Sequence, residues 1–160
     1  MGSGKTTIGR ALASSLSMPF FDLDQIIEDE IKMSIKDIFQ EKGEYFFRDL
    51  ETNLLRKTAE SSDKFIFSTG GGIVIREENR KFMSKNGTIV FLYADLDVIF
   101  ERIKKNNNRP LLNTNDHRGT LYKIWDERKD FYSDCDFKVD VTDLSIEVIV
   151  EKIKNHFVFL

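Results

Sequence analysis

Apolar residues form short continuous runs along this chain. The clearest runs cover residues 19–22, 64–69 and 88–93, and a weaker one covers 137–141. Within the second and third runs, apolar residues follow one another directly and do not alternate with polar ones. This pattern is typical of strands that are covered on both faces, as in a parallel sheet.

Between these runs, apolar residues recur at helical spacing. The segments with this spacing cover residues 8–16, 26–31, 46–55, 98–105, 121–131 and 146–157. Ser34, with Asp37 three residues later, has the pattern of a helix N-cap. Strands that alternate with helices predict an α/β fold with a doubly wound parallel sheet.

Composition indicates one soluble domain covering residues 1–160. Hydrophobic residues make up 41% and charged residues 32% of the chain, and no apolar run approaches the roughly 20 residues that span a bilayer. The net charge is −3 with mixed signs, which does not favour nucleic-acid binding. Because Cys135 is the only cysteine and no leader pattern is visible, we expect a cytoplasmic protein.

The strongest chemical signal is a glycine-rich segment at the N-terminus, Gly2-Ser3-Gly4-Lys5-Thr6-Thr7. Glycines allow a tight turn whose N–H groups converge on phosphate oxygens. Lys5 is placed to reach the β- and γ-phosphates of ATP, and the Thr6 hydroxyl to bind Mg²⁺. The first glycine of the full phosphate-loop pattern would precede Met1, and it is absent from this chain.

Two further polar segments stand out. Asp22 and Asp24 close the first apolar run, where two carboxylates at the end of a strand point to the same side. One could hold Mg²⁺ and the other a substrate hydroxyl, although helix capping is an alternative role. Residues 106–120 are polar and Asn-rich, so we expect a long functional loop there.

Additional motifs follow in a fixed order along the chain. They are Phe47-Arg48 with Glu51, then Thr69-Gly70-Gly71-Gly72, then Arg109-Pro110-Leu111-Leu112, and finally Arg128 with Tyr132. With the phosphate loop and the Asp22–Asp24 pair, these motifs resemble those of the shikimate kinase family from residue 1 to about residue 141.

The resemblance implies roles for the acid-binding residues. Arg48 and Arg128 would bind the shikimate carboxylate, for which a planar guanidinium is well shaped. An alternative for Arg48 is a surface ion pair with Glu51 at helical spacing. Asp24 would orient or deprotonate the attacking hydroxyl. The Gly70–Gly72 segment would let the substrate lie against the backbone.

The resemblance also implies roles on the nucleotide side. Arg109 would belong to a lid over residues 106–120 and neutralise charge on the transferred phosphate. Arg102 would lie near adenine, together with a loop at about residues 141–144. Helices within about residues 23–60 would bind shikimate.

Taken together, the resemblance implies an Mg²⁺-dependent, monomeric kinase that transfers the ATP γ-phosphate to the 3-hydroxyl of shikimate. Alternatives are another small-molecule kinase, acting on gluconate or a nucleoside monophosphate, or a catalytically inactive nucleotide-binding protein. Turnover of ATP with and without shikimate would separate them.

The resemblance further implies a five-stranded sheet of order 2-3-1-4-5, of the phosphate-loop nucleoside-monophosphate-kinase type. The first strand would lie centrally and lead into the phosphate loop, but this chain begins inside the loop. We therefore expect the functional protein to start about 8 to 12 residues earlier, which is enough for one short strand, with Met1 as an internal methionine.

Overall fold

The fold alternates short strands with helices. A computed structural model describes residues 2–61, 63–104 and 116–157. Its strands are β1 (Phe20–Asp22), β2 (Ile66–Ser68), β3 (Val90–Tyr93) and β4 (Phe137–Asp140). Its α-helices are α1 (Lys5–Leu16), α2 (Leu23–Ile31), α3 (Ile35–Glu41), α4 (Gly43–Ala59), α5 (Glu77–Asn86), α6 (Leu96–Lys104), α7 (His117–Ser133) and α8 (Ile146–His156). A 3₁₀ turn, Ile73–Ile75, precedes α5.

The strands form two parallel pairs. β1 pairs with β2, with Phe20 opposite Ile66, and β3 pairs with β4, with Val90 opposite Phe137. If the expected first strand is counted, these pairs are the 2-3 and 4-5 neighbours of the predicted order. In the described part of the chain, no strand pairing joins the two sheets.

Two apolar clusters hold the helices against the strands. One cluster joins α1, α6 and α8 to β3 and β4, and includes Leu12, Val139 and Ile153. The other lies beneath α2, α3 and α4, and includes Ile27 and Leu54. Consecutive strand residues enter different environments, as the continuous apolar runs predict: Ile66 packs on the first cluster and Phe67 on the second.

Several helices begin at a side-chain cap. Ser34 accepts a hydrogen bond from the Asp37 N–H at 3.1 Å, which confirms the predicted cap of α3. Asp116 accepts one from the Gly119 N–H at 2.8 Å, so α7 begins at His117 and the expected loop ends earlier than residue 120. None of the helices in the described ranges combines the length and apolarity that a membrane span requires.

Candidate active site

The phosphate loop turns sharply at the start of α1. Gly2 and Gly4 have φ angles of 67° and 85°, a left-handed conformation that favours glycine. Ser3 between them is buried, and the Ile8 N–H donates to the Gly4 carbonyl at 2.9 Å. The loop therefore leads directly into the N-terminal end of a 12-residue helix, where backbone N–H groups and the helix dipole favour an anion.

Asp22 connects the phosphate loop to α2. The Thr6 hydroxyl donates to Asp22 Oδ2 at 2.7 Å, while Asp22 Oδ1 accepts from the Asp24 and Gln25 N–H groups. The capping role considered for Asp22 is therefore real, and the same carboxylate also contacts Thr6. The expected strand geometry is wrong for Asp24, because β1 ends at Asp22 and Asp24 lies in the first turn of α2.

Asp24 lies beside the Gly70–Gly72 segment, here called the glycine loop, and beside a second carboxylate. A Cβ atom on Gly70 would lie 3.1 Å from Asp24 Oδ1 and 2.9 Å from Glu51 Oε1. Glu51 is almost fully buried. Burial raises the pKa of the Glu51 carboxyl, and the nearby Asp24 charge adds to that rise, although Arg48 and Arg128 oppose it. Four charged groups therefore lie close together around the glycine loop: Asp24, Glu51, Arg48 and Arg128.

Arg48 is held in place by carboxylates on its own helix. Its guanidinium forms ion pairs with Glu51, and with Glu44 at 2.9 Å. The pair with Glu51 exists as considered from the sequence, but it is buried and not on the surface. A Cβ atom on Gly72 would lie 2.2 Å from Arg48 Nη1. Glycine at position 72 therefore lets the guanidinium approach the loop backbone closely.

Arg128 reaches the same region from α7. Its side chain is buried. Burial raises the pKa of the Glu51 carboxyl and of the Tyr132 hydroxyl, and the nearby charge of Arg128 opposes both rises. Tyr132 donates a hydrogen bond to the Gly71 carbonyl at 2.6 Å. The two arginines, 80 positions apart in the chain, therefore approach the glycine loop from α4 and α7.

One cavity of about 210 Å³ collects most of the predicted acid-binding and catalytic residues. Its wall includes Ser3, Lys5, Asp24, Arg48, Gly70, Gly71, Gly72 and Arg128. Aromatic side chains, among them Phe39, Phe47 and Trp125, complete the wall. Basic groups, carboxylates and aromatic surfaces thus face one space next to the phosphate loop.

A second cavity, of about 220 Å³, lies on another side of the phosphate loop. Gly2, Gly4 and Thr7 contribute to it, together with Arg102. Val141 and Leu144 also line it, and both belong to the segment expected near adenine. Arg102 donates to the Thr142 carbonyl at 3.2 Å, so the predicted nucleotide-side groups lie together here.

Two contacts in the site were not predicted from the sequence, and one predicted segment lies outside the described residues. The buried role of Glu51 was missed, although its position three residues after Arg48 on one helix was the available signal. The contact of Tyr132 was also missed, although it follows Arg128 by one helical turn. Arg109 and residues 106–115 of the expected lid lie outside the described residues.

These features define the class of protein. A glycine-rich loop at the start of a helix in a parallel α/β fold, next to a cavity with buried arginines, is the arrangement of a phosphate-loop kinase for a small acidic acceptor.

Comparisons with known proteins identify the family within this class. The family model described as "Shikimate kinase" matches residues 1–157. A shikimate kinase from Bacillus cereus (strain AH187) is 42% identical over 97% of this chain and 92% of its own length. One from Ruegeria pomeroyi is 43% identical over 96% of this chain and 78% of its own length. The chain belongs to the shikimate kinase family.

Solved structures agree with this assignment. A structure of shikimate kinase from Acinetobacter baumannii in complex with shikimate superposes with a TM-score of 0.93 at 30% identity, covering 98% of this chain and 87% of that one. Shikimate kinase from Bacteroides thetaiotaomicron gives a TM-score of 0.90 at 34% identity, covering 98% and 93%. These likenesses confirm the predicted α/β fold class.

Proposed function

We propose that this protein is a shikimate kinase that transfers the γ-phosphoryl group of ATP to the 3-hydroxyl of shikimate. One observation carries the proposal: a single cavity is lined by Lys5 of the phosphate loop, by Asp24 and by the buried arginines Arg48 and Arg128. A phosphate donor and a hydroxylated carboxylic acid can therefore meet in one cavity.

Arg48 and Arg128 hold the carboxylate of the acceptor in this proposal. Both are buried, and hydrogen bonds between charged groups are strongest where water is scarce. Glu44 and Glu51 hold the Arg48 guanidinium in place. Since Arg128 comes from a different helix, the pair sets both the position and the direction of the acid.

Asp24 orients the hydroxyl that attacks. The Asp24 carboxylate lies beside Gly70, at the edge of the cavity that also contains Lys5. The hydroxyl oxygen forms a bond to the γ-phosphorus while the bond from phosphorus to the leaving ADP oxygen breaks, and the hydroxyl proton passes to Asp24. Such transfers depend mainly on positioning and on neutralising charge.

The phosphate loop binds the donor. Its left-handed glycines and the start of α1 direct backbone N–H groups at the phosphates, and Lys5 supplies positive charge for the transferred group. Gly2, Ser3, Gly4 and Thr7, with Arg102, line the neighbouring cavity. That cavity is the site we propose for the nucleoside part of ATP.

The residues present fit Mg²⁺. Thr6 Oγ1 and Asp22 Oδ2 are 2.7 Å apart, and Mg²⁺ prefers oxygen ligands, usually one or two from protein with the rest from phosphates and water. In the described residues, no group of three or more His, Cys, Asp or Glu side chains could hold a metal ion. Thr6 and Asp22 would hold the ion, which when bound offsets the negative charge of the phosphates.

The cellular setting is part of the proposal. We propose a monomer, as the resemblance to the shikimate kinase family implies. The single cysteine, Cys135, excludes an internal disulfide, which fits a reducing cytoplasm.

The test is a panel of acceptors. Purified protein with MgATP is given shikimate, gluconate, a nucleoside monophosphate or no acceptor, and ADP release is followed. Among these mixtures, we expect ADP release only in the one that contains shikimate. Release with gluconate or the nucleoside monophosphate but not with shikimate would contradict the proposal. ATP binding without turnover on any acceptor would support the inactive nucleotide-binding alternative.

A further inference from the structure

Tyr132 connects two parts of the acceptor cavity, which is the cavity lined by Asp24, Arg48 and Arg128. It lies on α7, one turn after Arg128, and its hydroxyl donates to the Gly71 carbonyl at 2.6 Å. Gly71 is separated from Tyr132 by 61 positions in the chain. This hydrogen bond therefore ties the glycine loop to the helix that carries Arg128.

The Tyr132 ring is itself held in place by aromatic stacking. Its centroid lies 5.2 Å from that of Phe91 with the planes at 14°, and 6.1 Å from that of Trp125 at 24°. Phe91 belongs to β3 and Trp125 to α7, so the ring packs both on a strand and on a neighbour from its own helix. A hydroxyl on a ring held this way has little freedom to move.

All three carbonyls of the glycine loop accept hydrogen bonds from the protein. The Gly70 carbonyl accepts from the Ile73 N–H at 3.2 Å and the Gly72 carbonyl from the Ile75 N–H at 3.0 Å. Those two bonds are local, within three residues. The bond from Tyr132 is the one that anchors the middle of the loop to another element.

The direction of the Gly71 carbonyl also sets the direction of the next N–H group. In a trans peptide the C=O and the N–H point to opposite sides, and the described backbone contains no cis peptide bond. With the Gly71 carbonyl turned to Tyr132, the Gly72 N–H points away from that side chain. The hydroxyl thus orients the Gly71–Gly72 peptide group, and with it the Gly72 N–H.

Burial keeps the Tyr132 hydroxyl protonated. Burial raises its pKa above the ordinary value, although the charges of Arg128 and Arg48 oppose the rise. A protonated hydroxyl can donate, and a carbonyl oxygen can only accept. The bond to Gly71 therefore persists across the neutral pH range.

We propose that Tyr132 is a positioning residue for the acid substrate: its hydroxyl fixes the glycine loop relative to Arg128, so that loop and arginine receive the acceptor together. The inference rests on the proposed function, because it takes shikimate as the acceptor. It assigns Tyr132 no contact with the reacting atoms.

The test replaces Tyr132 by phenylalanine, which keeps the ring and its stacking and removes the hydroxyl. We expect the KM for shikimate to rise about 5- to 30-fold, as for the loss of one buried hydrogen bond. We expect the KM for ATP and kcat to stay within about twofold, since nothing in the phosphate loop changes.

Tyr122→Phe is the matched control. Tyr122 lies on the same helix, and its hydroxyl donates to Asp97 Oδ1 at 2.9 Å on the exposed surface. Removing that hydroxyl should leave the KM for shikimate unchanged. Folding of both variants is checked by their thermal unfolding midpoints.

A second measurement does not depend on activity. Amide hydrogen exchange of the peptide spanning residues 69–75, without ligand, should be faster in Tyr132→Phe than in the wild type, and unchanged in Tyr122→Phe. If the wild type does not phosphorylate shikimate, the proposed function fails, and this exchange measurement alone decides whether Tyr132 holds the loop.

Two results would overturn the inference. One is a folded Tyr132→Phe protein with the wild-type KM for shikimate and wild-type exchange in the loop. The other is a variant in which kcat falls and both KM values stay constant, with lower thermal stability. That pattern would make Tyr132 a packing residue only.

Discussion

At the scale of single residues, the proposed function depends on charged side chains placed where water is largely excluded. Arg48 and Arg128 are about as buried as the apolar core. A buried charge is costly unless it has partners, and Glu51 and Glu44 supply them for Arg48. Such groups bind a substrate carboxylate strongly because they are already oriented before it arrives.

Asp24→Asn tests the assignment of the hydroxyl-orienting group. The substitution keeps the shape and removes the charge, so turnover should fall by about 10²- to 10⁴-fold, the usual range for general acid–base groups. The dissociation constant for ATP, measured by calorimetry, should change by less than about threefold. Turnover within a factor of two of wild type would remove Asp24 from its role.

Arg128→Ala tests the carboxylate-binding pair. Loss of one charge-assisted hydrogen bond costs roughly 1.5–3 kcal/mol, or about 10- to 150-fold in shikimate affinity, and ATP affinity should hardly change. Arg48→Ala should act in the same direction. It should also destabilise the fold, because Glu51 would lose its buried partner.

Arg56→Ala is the control for both arginines. Arg56 lies on α4 like Arg48, but its ion pair with Glu78 is half-exposed on both sides, so its removal should leave shikimate affinity unchanged. Equal losses of ATP and shikimate affinity in Arg48→Ala or Arg128→Ala would contradict the assigned role of that arginine.

The raised pKa of Glu51 predicts how the free energy of unfolding depends on pH. Burial raises the pKa of its carboxyl above the ordinary value of 4.5, so the folded chain binds this proton more tightly than the unfolded chain does. The stabilisation that this bound proton gives the fold is therefore complete below the pKa of Glu51 in the unfolded chain. It is lost as pH rises through the pKa of Glu51 in the folded chain. Glu51→Gln does not titrate and serves as the reference.

The measurement is the free energy of unfolding of both proteins between about pH 4 and about pH 8. The value for wild type minus that for Glu51→Gln should fall as pH increases. A difference that stays constant or grows over this range would show that the pKa of Glu51 is not raised.

At the scale of elements, the glycine loop shows why backbone geometry matters to the site. A methyl group on residue 72 would overlap the Arg48 guanidinium, with the Cβ atom at 2.2 Å from Nη1. Gly72→Ala should therefore push Arg48 out of place. We expect shikimate affinity to fall at least about tenfold, comparable to losing a charge-assisted hydrogen bond, with ATP affinity retained.

Gly87→Ala provides the control for this prediction. At Gly87 a Cβ atom would lie no closer than 3.8 Å to the nearest atom, the Met83 carbonyl oxygen, and its φ angle of −165° is extended backbone. Shikimate binding should be unaffected there. If both alanine variants bind shikimate like the wild type, Gly72 is not required for the position of Arg48.

Elements with strong local signals could be predicted from the sequence, and others could not. The α3 helix was predictable because Ser34 caps it through local chemistry. The α5 helix was missed because its sequence, Glu77–Asn86, is mostly polar and lacks a clear apolar stripe. It is held by contacts with α4 and the turn after the glycine loop, which no local pattern encodes.

The same distinction applies to the site. The phosphate loop was recognisable because its residues are adjacent in sequence. Distances between distant residues were not available, so the buried pair of Arg48 with Glu51 and the bond from Tyr132 to Gly71 required the three-dimensional fold. Asp24 was placed on a strand because β1 was expected to carry both carboxylates, whereas Asp22 ends the strand by capping α2.

At the scale of the whole molecule, the two apolar clusters support different parts of the proposed active site. The cluster around α1 and α8 supports the phosphate loop, and the cluster beneath α2, α3 and α4 supports Asp24 and Arg48. Both clusters contribute wall residues to the acceptor cavity: Ile99 and Leu121 come from the first cluster, and Phe47 and Ile73 from the second. Transfer between two bound molecules is the function that this arrangement favours.

The most direct test of that claim is the chemical identity of the product. Purified protein is incubated with MgATP and shikimate, and the products are separated and examined by mass spectrometry and phosphorus NMR. We expect ADP and shikimate carrying one phosphate ester on its 3-hydroxyl, in equal amounts. ADP with free inorganic phosphate and unchanged shikimate, or a phosphate on another hydroxyl, would contradict it.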